Sequence, residues 1–123
     1  MLNNQKVSKP KFDLEERTTE FAKDVIRLCK DLSMNPINES LIRQIVRSSG
    51  SIGANYREAN DALGKKDFTY RLKISRKETK ETLHWLVLIE EANPSFQNRI
   101  QPIKKEAVEL RNIFSSIISK TSS

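Results

Sequence analysis

Apolar residues recur at the 3.6-residue period of an α-helix in four successive segments of the chain. The breaks between these segments are short, and they contain Asn35-Pro36, Gly64 and Asn93-Pro94, residue types that end or begin helices. The chain has only 3 Gly and 4 Pro, too few turn residues for a fold built on sheets. The sequence therefore predicts an all-α protein, an antiparallel up-down-up-down four-helix bundle. The predicted helices span residues 13–32, 37–62, 66–92 and 96–119.

At 123 residues the chain is expected to form a single domain, because one hydrophobic core serves a chain of this length. We expect the bundle to occupy residues 13–119, with a basic, flexible tail at 1–12 and a frayed tail at 120–123. No segment has the apolar run of a membrane span or of a secretory signal. We therefore expect a cytoplasmic protein without membrane contact, in which the unpaired Cys29 is a small buried hydrophobe.

The second predicted helix contains a stretch of small residues, from Ser48 to Ala54. Gly and Ser are poor helix formers, so a loop is the alternative, but the apolar period continues across the stretch. We favour a helix that approaches its neighbour closely at this point. Asn55 and Glu58 lie one turn apart beside it, and we expect them to form a buried polar pair that fixes helix register. The residues given this structural role are Ser51, Ala54, Asn55 and Glu58.

The third predicted helix carries the strongest functional signal. The net charge is +6, and residues 65–80 include seven basic side chains against two acidic ones. At 100° per residue, four of the lysines fall together with Tyr70 on the side opposite Phe68 and Leu86. Lysines in this arrangement can neutralise phosphates, and Tyr70 can stack on an unpaired base, which predicts a nucleic-acid-binding surface. The alternative is an ordinary solvated outer face. The basic stripe consists of Lys66, Tyr70, Lys73, Lys77 and Lys80, and His84 lies on the same line.

A second, partly apolar stripe lies beside the basic one on the same helix. Tryptophan at such a position often anchors an interface, so this stripe predicts a contact between subunits. The alternative is a tryptophan at the edge of the bundle, with the two glutamates pairing to neighbouring basic side chains. The Trp stripe consists of Ile74, Glu78, Glu81 and Trp85.

The sequence offers little for catalysis. A di-metal site in a helical bundle needs two Glu-x-x-His pairs, and His84 is the only histidine. Cys29 and His84 have neither the third group nor the oxyanion hole of a nucleophilic site. We therefore expect no enzyme, no cofactor, no metal and no small-molecule substrate.

The stretch from Ser48 to Asn93, with an amphipathic helix on either side, resembles the bacterial four-helix-bundle family encoded in intervening sequences of 23S rRNA genes. The resemblance covers residues 13–119 and implies a ring-like homopentamer of antiparallel bundles. It also implies kinship with accessory bundle proteins of diversity-generating retroelements, which work with nucleic acid and a reverse transcriptase. Gly53 stands where many members have proline. The matching parts are Ser51-Ile52-Gly53-Ala54-Asn55, Glu58, Phe68, Leu72-Lys73-Ile74-Ser75, Glu78, Glu81 and Trp85-Leu86.

Two functions from different classes remain open at this point. The first is a basic nucleic-acid-binding scaffold, a homo-oligomer that repeats the basic stripe around a ring and binds RNA or DNA. Five copies of a +6 chain would carry a charge of about +30, and such multivalency strengthens weak contacts. The alternative is a protein-protein interaction adaptor whose basic face only keeps it soluble.

Overall fold

The computed structural model describes residues 13–122, which form four α-helices. Every predicted helix is present, and each predicted end lies within three residues of the observed one. The basic tail expected at residues 1–12 lies outside the described residues, as does Ser123. The helices are α1 (Leu14–Asp31), α2 (Pro36–Asn60), α3 (Lys65–Ala92) and α4 (Gln97–Ser122), with one turn of 3-10 helix (Pro94–Phe96) between the last two.

Side-chain caps explain where the first two helices begin. The Asp13 carboxylate accepts a hydrogen bond from the backbone N–H of Glu16 at 3.3 Å, which satisfies a donor that has no partner inside α1. Asn35 caps α2 in the same way, through the N–H of Asn38 at 2.8 Å, and Pro36 occupies the first helical position. The short polar turns therefore start helices as well as end them.

The helices form an antiparallel up-down-up-down bundle. Consecutive helices pack side by side and α4 packs on α1, while the diagonal pairs share no close backbone contact over residues 13–122. Two side-chain contacts show that α2 and α3 are antiparallel. Asn55 contacts Arg71, whereas Ser48, which is earlier in α2, contacts Thr82, which is later in α3. The fold class predicted from the sequence is therefore confirmed. The side chains that fill the core and are fully buried include Phe21, Leu28, Ile45, Ile52, Leu72, Leu86, Ile89, Ile100, Leu110 and Phe114.

The stretch of small residues is helical throughout, as predicted. It packs closely on α1, because a methyl group added at Gly53 would lie only 2.8 Å from Thr18 Oγ1, and on α3, where the Ser48 and Thr82 hydroxyls are 2.8 Å apart. The expectation of a buried pair beside it is wrong. Glu58 is exposed, and the Asn55 side chain accepts a hydrogen bond from Arg71 Nη1 at 3.1 Å instead. Glu58 lies on the solvent side of α2 because the core side of the helix is set by Ile52 and Ala59. The other two residues predicted to have a structural role are not fully buried either: Ser51 is half-buried and Ala54 is exposed.

The last helix is longer than the sequence suggests. α4 ends at Ser122, so Lys120 and Thr121, which were expected to fray, are helical. The Thr121 hydroxyl donates to the carbonyl of Ile117 at 3.0 Å and contacts the Thr69 hydroxyl of α3 at 3.3 Å. This contact holds the last turn of α4 against α3. None of the helices within residues 13–122 combines the length and the apolar character needed to cross a membrane.

Candidate nucleic-acid interface

The two predicted stripes lie beside each other on α3, on the part of the helix that faces away from the core. The core side of the helix is fixed by Leu72, Leu86 and Ile89, which are fully buried. The Trp stripe faces α2, because Glu78 and Glu81 both contact Arg47 of that helix. The basic stripe turns toward α4, where Thr121 lines a groove together with Tyr70. The two stripes adjoin, as the helical period predicts, and Glu81 and Trp85 line a groove together with lysines of the basic stripe.

Every member of the basic stripe is exposed, and Tyr70 keeps 59% of its surface accessible. Within the described part of the chain, none of the seven basic side chains at positions 65–80 forms an ion pair with a carboxylate. Two of them have neutral partners instead: Arg71 donates to Asn55, and Arg76 donates to the Ser115 hydroxyl at 3.3 Å. The positive charge of this surface is therefore not neutralised by the acidic side chains of residues 13–122.

Basic side chains elsewhere in the bundle are more often paired with carboxylates. Over residues 13–122, eight of them lie within 4.0 Å of a carboxylate, so their charge is offset locally. The contrast makes the outer side of α3 the main concentration of uncompensated cations on the described surface. These eight side chains are Arg17, Lys23, Arg27, Arg43, Arg47, Arg57, Arg99 and Lys104.

Two adjoining surface grooves follow the basic stripe, and Lys73 lines both of them. The first has a volume of about 500 Å³ and lies at the start of α3, where it runs between Tyr70 and the end of α4. The second has a volume of about 440 Å³ and continues toward His84. Residues lining the first groove are Lys65, Lys66, Thr69, Tyr70, Lys73 and Thr121. Those lining the second are Lys73, Arg76, Lys77, Lys80, Glu81, His84 and Trp85.

The two glutamates of the Trp stripe form ion pairs within the same chain. Glu78 is only 8% exposed and accepts from Arg47 Nη2 at 3.2 Å, and Glu81 accepts from the same nitrogen at 2.8 Å. The hydrogen bond to Glu78 is the main reason why the pKa of Arg47 is raised above its ordinary value. Pairing with a neighbouring basic side chain, the alternative weighed from the sequence, therefore accounts for both carboxylates.

Trp85 is half-buried against the core, and the ring of His84 meets it edge-on at a centroid distance of 4.9 Å. The indole Nε1 of Trp85 is buried and has no hydrogen-bond partner within the described structure. Ile74, at the other end of the Trp stripe, is also half-buried. The stripe thus combines two partly exposed apolar side chains with an internal ion pair between them.

Two polar clusters that the sequence did not reveal lie away from α3's outer face. Asn38 and Asn93 exchange reciprocal amide hydrogen bonds, both of 2.9 Å, where the start of α2 meets the end of α3. Arg17 of α1 contacts Glu106 at 2.6 Å and Glu109 at 2.7 Å on α4, and the Glu106 hydrogen bond raises the pKa of Arg17 above its ordinary value. The two Asn-Pro turns, which the antiparallel topology places at one end, were the available signal for the amide pair.

Cys29 and His84, the one cysteine and the one histidine of the sequence, lie on different helices. Cys29 is buried on α1, as predicted, and burial raises its pKa to about 11. His84 is exposed on α3, the helix diagonal to α1. Over residues 13–122, no group of three or more His, Cys, Asp or Glu side chains is arranged to hold a metal ion.

The structure is thus a four-helix bundle with a cationic outer face whose basic side chains form no ion pair with the described acidic side chains. The family of 23S rRNA-intervening sequence proteins matches residues 11–116, and the chain belongs to this family. It is also similar to the crystal structure of a protein of unknown function from the S23 ribosomal protein family of Bacteroides thetaiotaomicron VPI-5482. The two are 34% identical with a TM-score of 0.74, over 85% of this chain and 96% of that one. No curated protein gives a significant match.

Proposed function

We propose that this chain is a non-enzymatic nucleic-acid-binding scaffold, working as a homo-oligomer and acting on RNA or DNA through the basic stripe of α3. The observation that carries the proposal is the uncompensated charge of residues 65–80, set against eight ion-paired basic side chains elsewhere. Lysines without acidic partners are free to replace the counterions of a phosphate backbone. The family's description as 23S rRNA-intervening sequence proteins favours RNA as one partner.

Oligomerisation would strengthen such binding. The family resemblance implies a ring of five copies, and each copy would present the same stripe. Once one copy has engaged a strand, the others bind at a high effective concentration, so contacts that are weak singly add to a usable affinity. The proposal therefore joins two features, a cationic face on α3 and a subunit contact elsewhere on the bundle.

Fluorescence anisotropy over a salt series tests the proposal. The wild-type chain is titrated against a single-stranded RNA and a duplex DNA, and the slope of log K against log salt counts the phosphates neutralised. The Lys73→Gln, Lys77→Gln double variant is expected to bind more weakly and to lower the magnitude of the slope by about 1.4 on a single strand or about 1.8 on a duplex. Unchanged affinity and slope would contradict the assignment to this stripe.

A matched control is available on α1. Lys23 and Lys30 are exposed lysines on the helix diagonal to α3, and the Lys23→Gln, Lys30→Gln variant has the same net charge as the α3 double variant. It is expected to bind nearly as the wild type does. Equal losses for the two variants would mean that only net charge matters, whereas no binding by any form at low salt would end the proposal.

A protein-protein interaction adaptor is the second candidate. It is favoured by the half-buried apolar side chains Ile74 and Trp85 of the Trp stripe, and by Leu88, which lies one turn beyond Trp85 and is 37% exposed. In that case the lysines keep the protein soluble and the Trp stripe contacts a partner. Oligomerisation alone does not separate the two candidates, so the salt series above decides between them.

A further inference from the structure

We infer that the ligand of the basic stripe is an unpaired nucleotide strand, with bases stacked on Tyr70 at one end of the lysine run and on His84 at the other. The inference rests on the proposed function and deepens it by choosing between single strands and duplexes. It requires that two side chains on the same face of α3 stack on bases, with three lysines between these two side chains.

The Tyr70 side chain is exposed and is therefore accessible to a ligand. It is excluded from the core cluster and keeps 59% of its surface in water, although a large aromatic ring gains considerable free energy from burial. Its ring lies in the groove between Lys66 and Lys73, and the guanidinium of Arg71 is 6.0 Å from the ring centroid. A planar ring flanked by phosphate-binding cations is the arrangement on which single-strand-binding proteins stack bases.

His84 supplies a second exposed ring on the same face. It follows Tyr70 by 14 residues, which is about 21 Å along the helix axis, and it lies within about 40° of the same line. Its contact with Trp85, edge-on at 4.9 Å, holds the imidazole at the far end of the second groove. Imidazole rings also stack on unpaired bases. The lysines between the two rings are Lys73, Lys77 and Lys80.

The composition of the face disfavours duplex readout. Bases in a duplex are read at their edges, by Arg or Lys on guanine and by Asn or Gln on adenine, and a stacked base does not offer its face to an aromatic ring. The line from Lys66 to His84 holds lysines and two rings, and the arginines beside it, Arg71 and Arg76, donate to Asn55 and Ser115. Lysines act as point charges toward phosphates, and the rings need bases that have left the stack. An unpaired strand satisfies both requirements.

The test compares fluorescein-labelled oligouridine and oligothymidine of about a dozen nucleotides with a duplex of equal length, at one moderate salt concentration. Wild type is expected to bind the two single strands at least about tenfold more tightly than the duplex. Tyr70→Leu is expected to lower single-strand affinity between about 5-fold and 150-fold, since stacking contributes about 1–3 kcal/mol per base, while leaving the salt slope unchanged. Tyr70→Phe keeps the ring and is expected to retain affinity. His84→Leu is expected to act as Tyr70→Leu does.

Val87→Ala is the matched control, because Val87 is an apolar side chain of α3 that is 50% exposed, lies beyond the lysines and belongs to neither stripe. It should bind as wild type does. Duplex binding equal to single-strand binding, or full affinity in Tyr70→Leu, overturns the inference and leaves the proposed function standing. A chain that binds none of the three probes loses the proposed function as well. The oligouridine and oligothymidine arms show whether the strand is RNA or DNA.

Discussion

At the scale of single residues, two glycines of α2 show how position decides the effect of one methyl group. Gly50 has no heavy atom within 4 Å of an added Cβ, whereas at Gly53 that atom would meet Thr18 Oγ1 at 2.8 Å. The Thr18 hydroxyl is held by the carbonyls of Leu14 at 2.7 Å and Glu15 at 3.1 Å, so it cannot move away freely. Gly53 is therefore a packing requirement of the α1–α2 contact, and Gly50 is not.

We expect Gly50→Ala to raise the free energy of unfolding by about 0.5–1 kcal/mol, because alanine favours helix over glycine. Gly53→Ala should lower it by about 1–2 kcal/mol, since the steric cost of a tight site exceeds that gain. Urea unfolding followed by circular dichroism measures both. Adding Thr18→Ala to Gly53→Ala should recover part of the loss, a coupling that a double-mutant cycle quantifies. Equal effects at the two glycines would show that the contact is not tight.

At the scale of elements, the reciprocal amide pair ties the start of α2 to the end of α3. Asn38 is fully buried and also donates to the carbonyl of Ser33 at 2.8 Å, while Asn93 donates to that of Ile89 at 2.9 Å. Each amide thus also bonds a backbone carbonyl next to its own turn, that of Ser33 before α2 and that of Ile89 in the last turn of α3. The pair joins two turns that are far apart in the chain but share one end of the bundle.

Asn38→Ala is expected to lower the free energy of unfolding by about 2–3 kcal/mol, because it leaves buried polar groups unpaired. Asn93→Ala should cost less than Asn38→Ala, since Asn93 is only half-buried. The double variant should cost less than the sum, with a coupling of about 1 kcal/mol in chemical denaturation. Asn98, an exposed asparagine of α4, is the control, and Asn98→Ala should stay within about 0.5 kcal/mol of wild type. Strict additivity would mean that the two amides act independently.

The elements were the part of this protein that the sequence could predict. The helical period predicted all four helices and the two neighbouring stripes of α3, because burial repeats with the helix turn. Contacts between helices were not predictable in the same way. The pairing of Arg47 with Glu78 depends on the register of α2 against α3, and the amide pair depends on which turns meet. Glu58 was misplaced because its spacing from Asn55 says nothing about which flank of α2 is covered.

At the scale of the whole molecule, charge is distributed unevenly over the bundle. Residues 13–31 hold six acidic and four basic side chains, whereas α4 holds five basic and two acidic ones. Since α1 is diagonal to α3, the acidic side of the bundle faces away from the basic stripe. A phosphate backbone is therefore attracted to one side and repelled from the other, which orients the encounter.

This polarity connects assembly with binding, because a ring that leaves α3's basic flank open must use another surface for its subunit contacts. The Trp stripe is the candidate, and five chains of 14.2 kDa predict a mass of about 71 kDa in sedimentation velocity. Ile74→Asp places a charge on that stripe and should shift the mass toward that of one chain, since an unpaired charge in an interface is costly. Trp85→Ala should do the same, whereas Leu63→Asp, at a fully exposed site in the α2–α3 turn, should not.

If avidity underlies binding, the dissociated Ile74→Asp chain should also lose more than about tenfold in affinity for a long single strand while all its lysines remain. Its affinity for a strand that spans only one stripe should stay within about twofold of wild type, because a single copy makes every contact with that strand. Circular dichroism melting confirms that the variant is folded before either titration. A variant that keeps its mass would remove the Trp stripe as the subunit contact, and equal losses on long and short strands would show that the stripe itself touches the ligand.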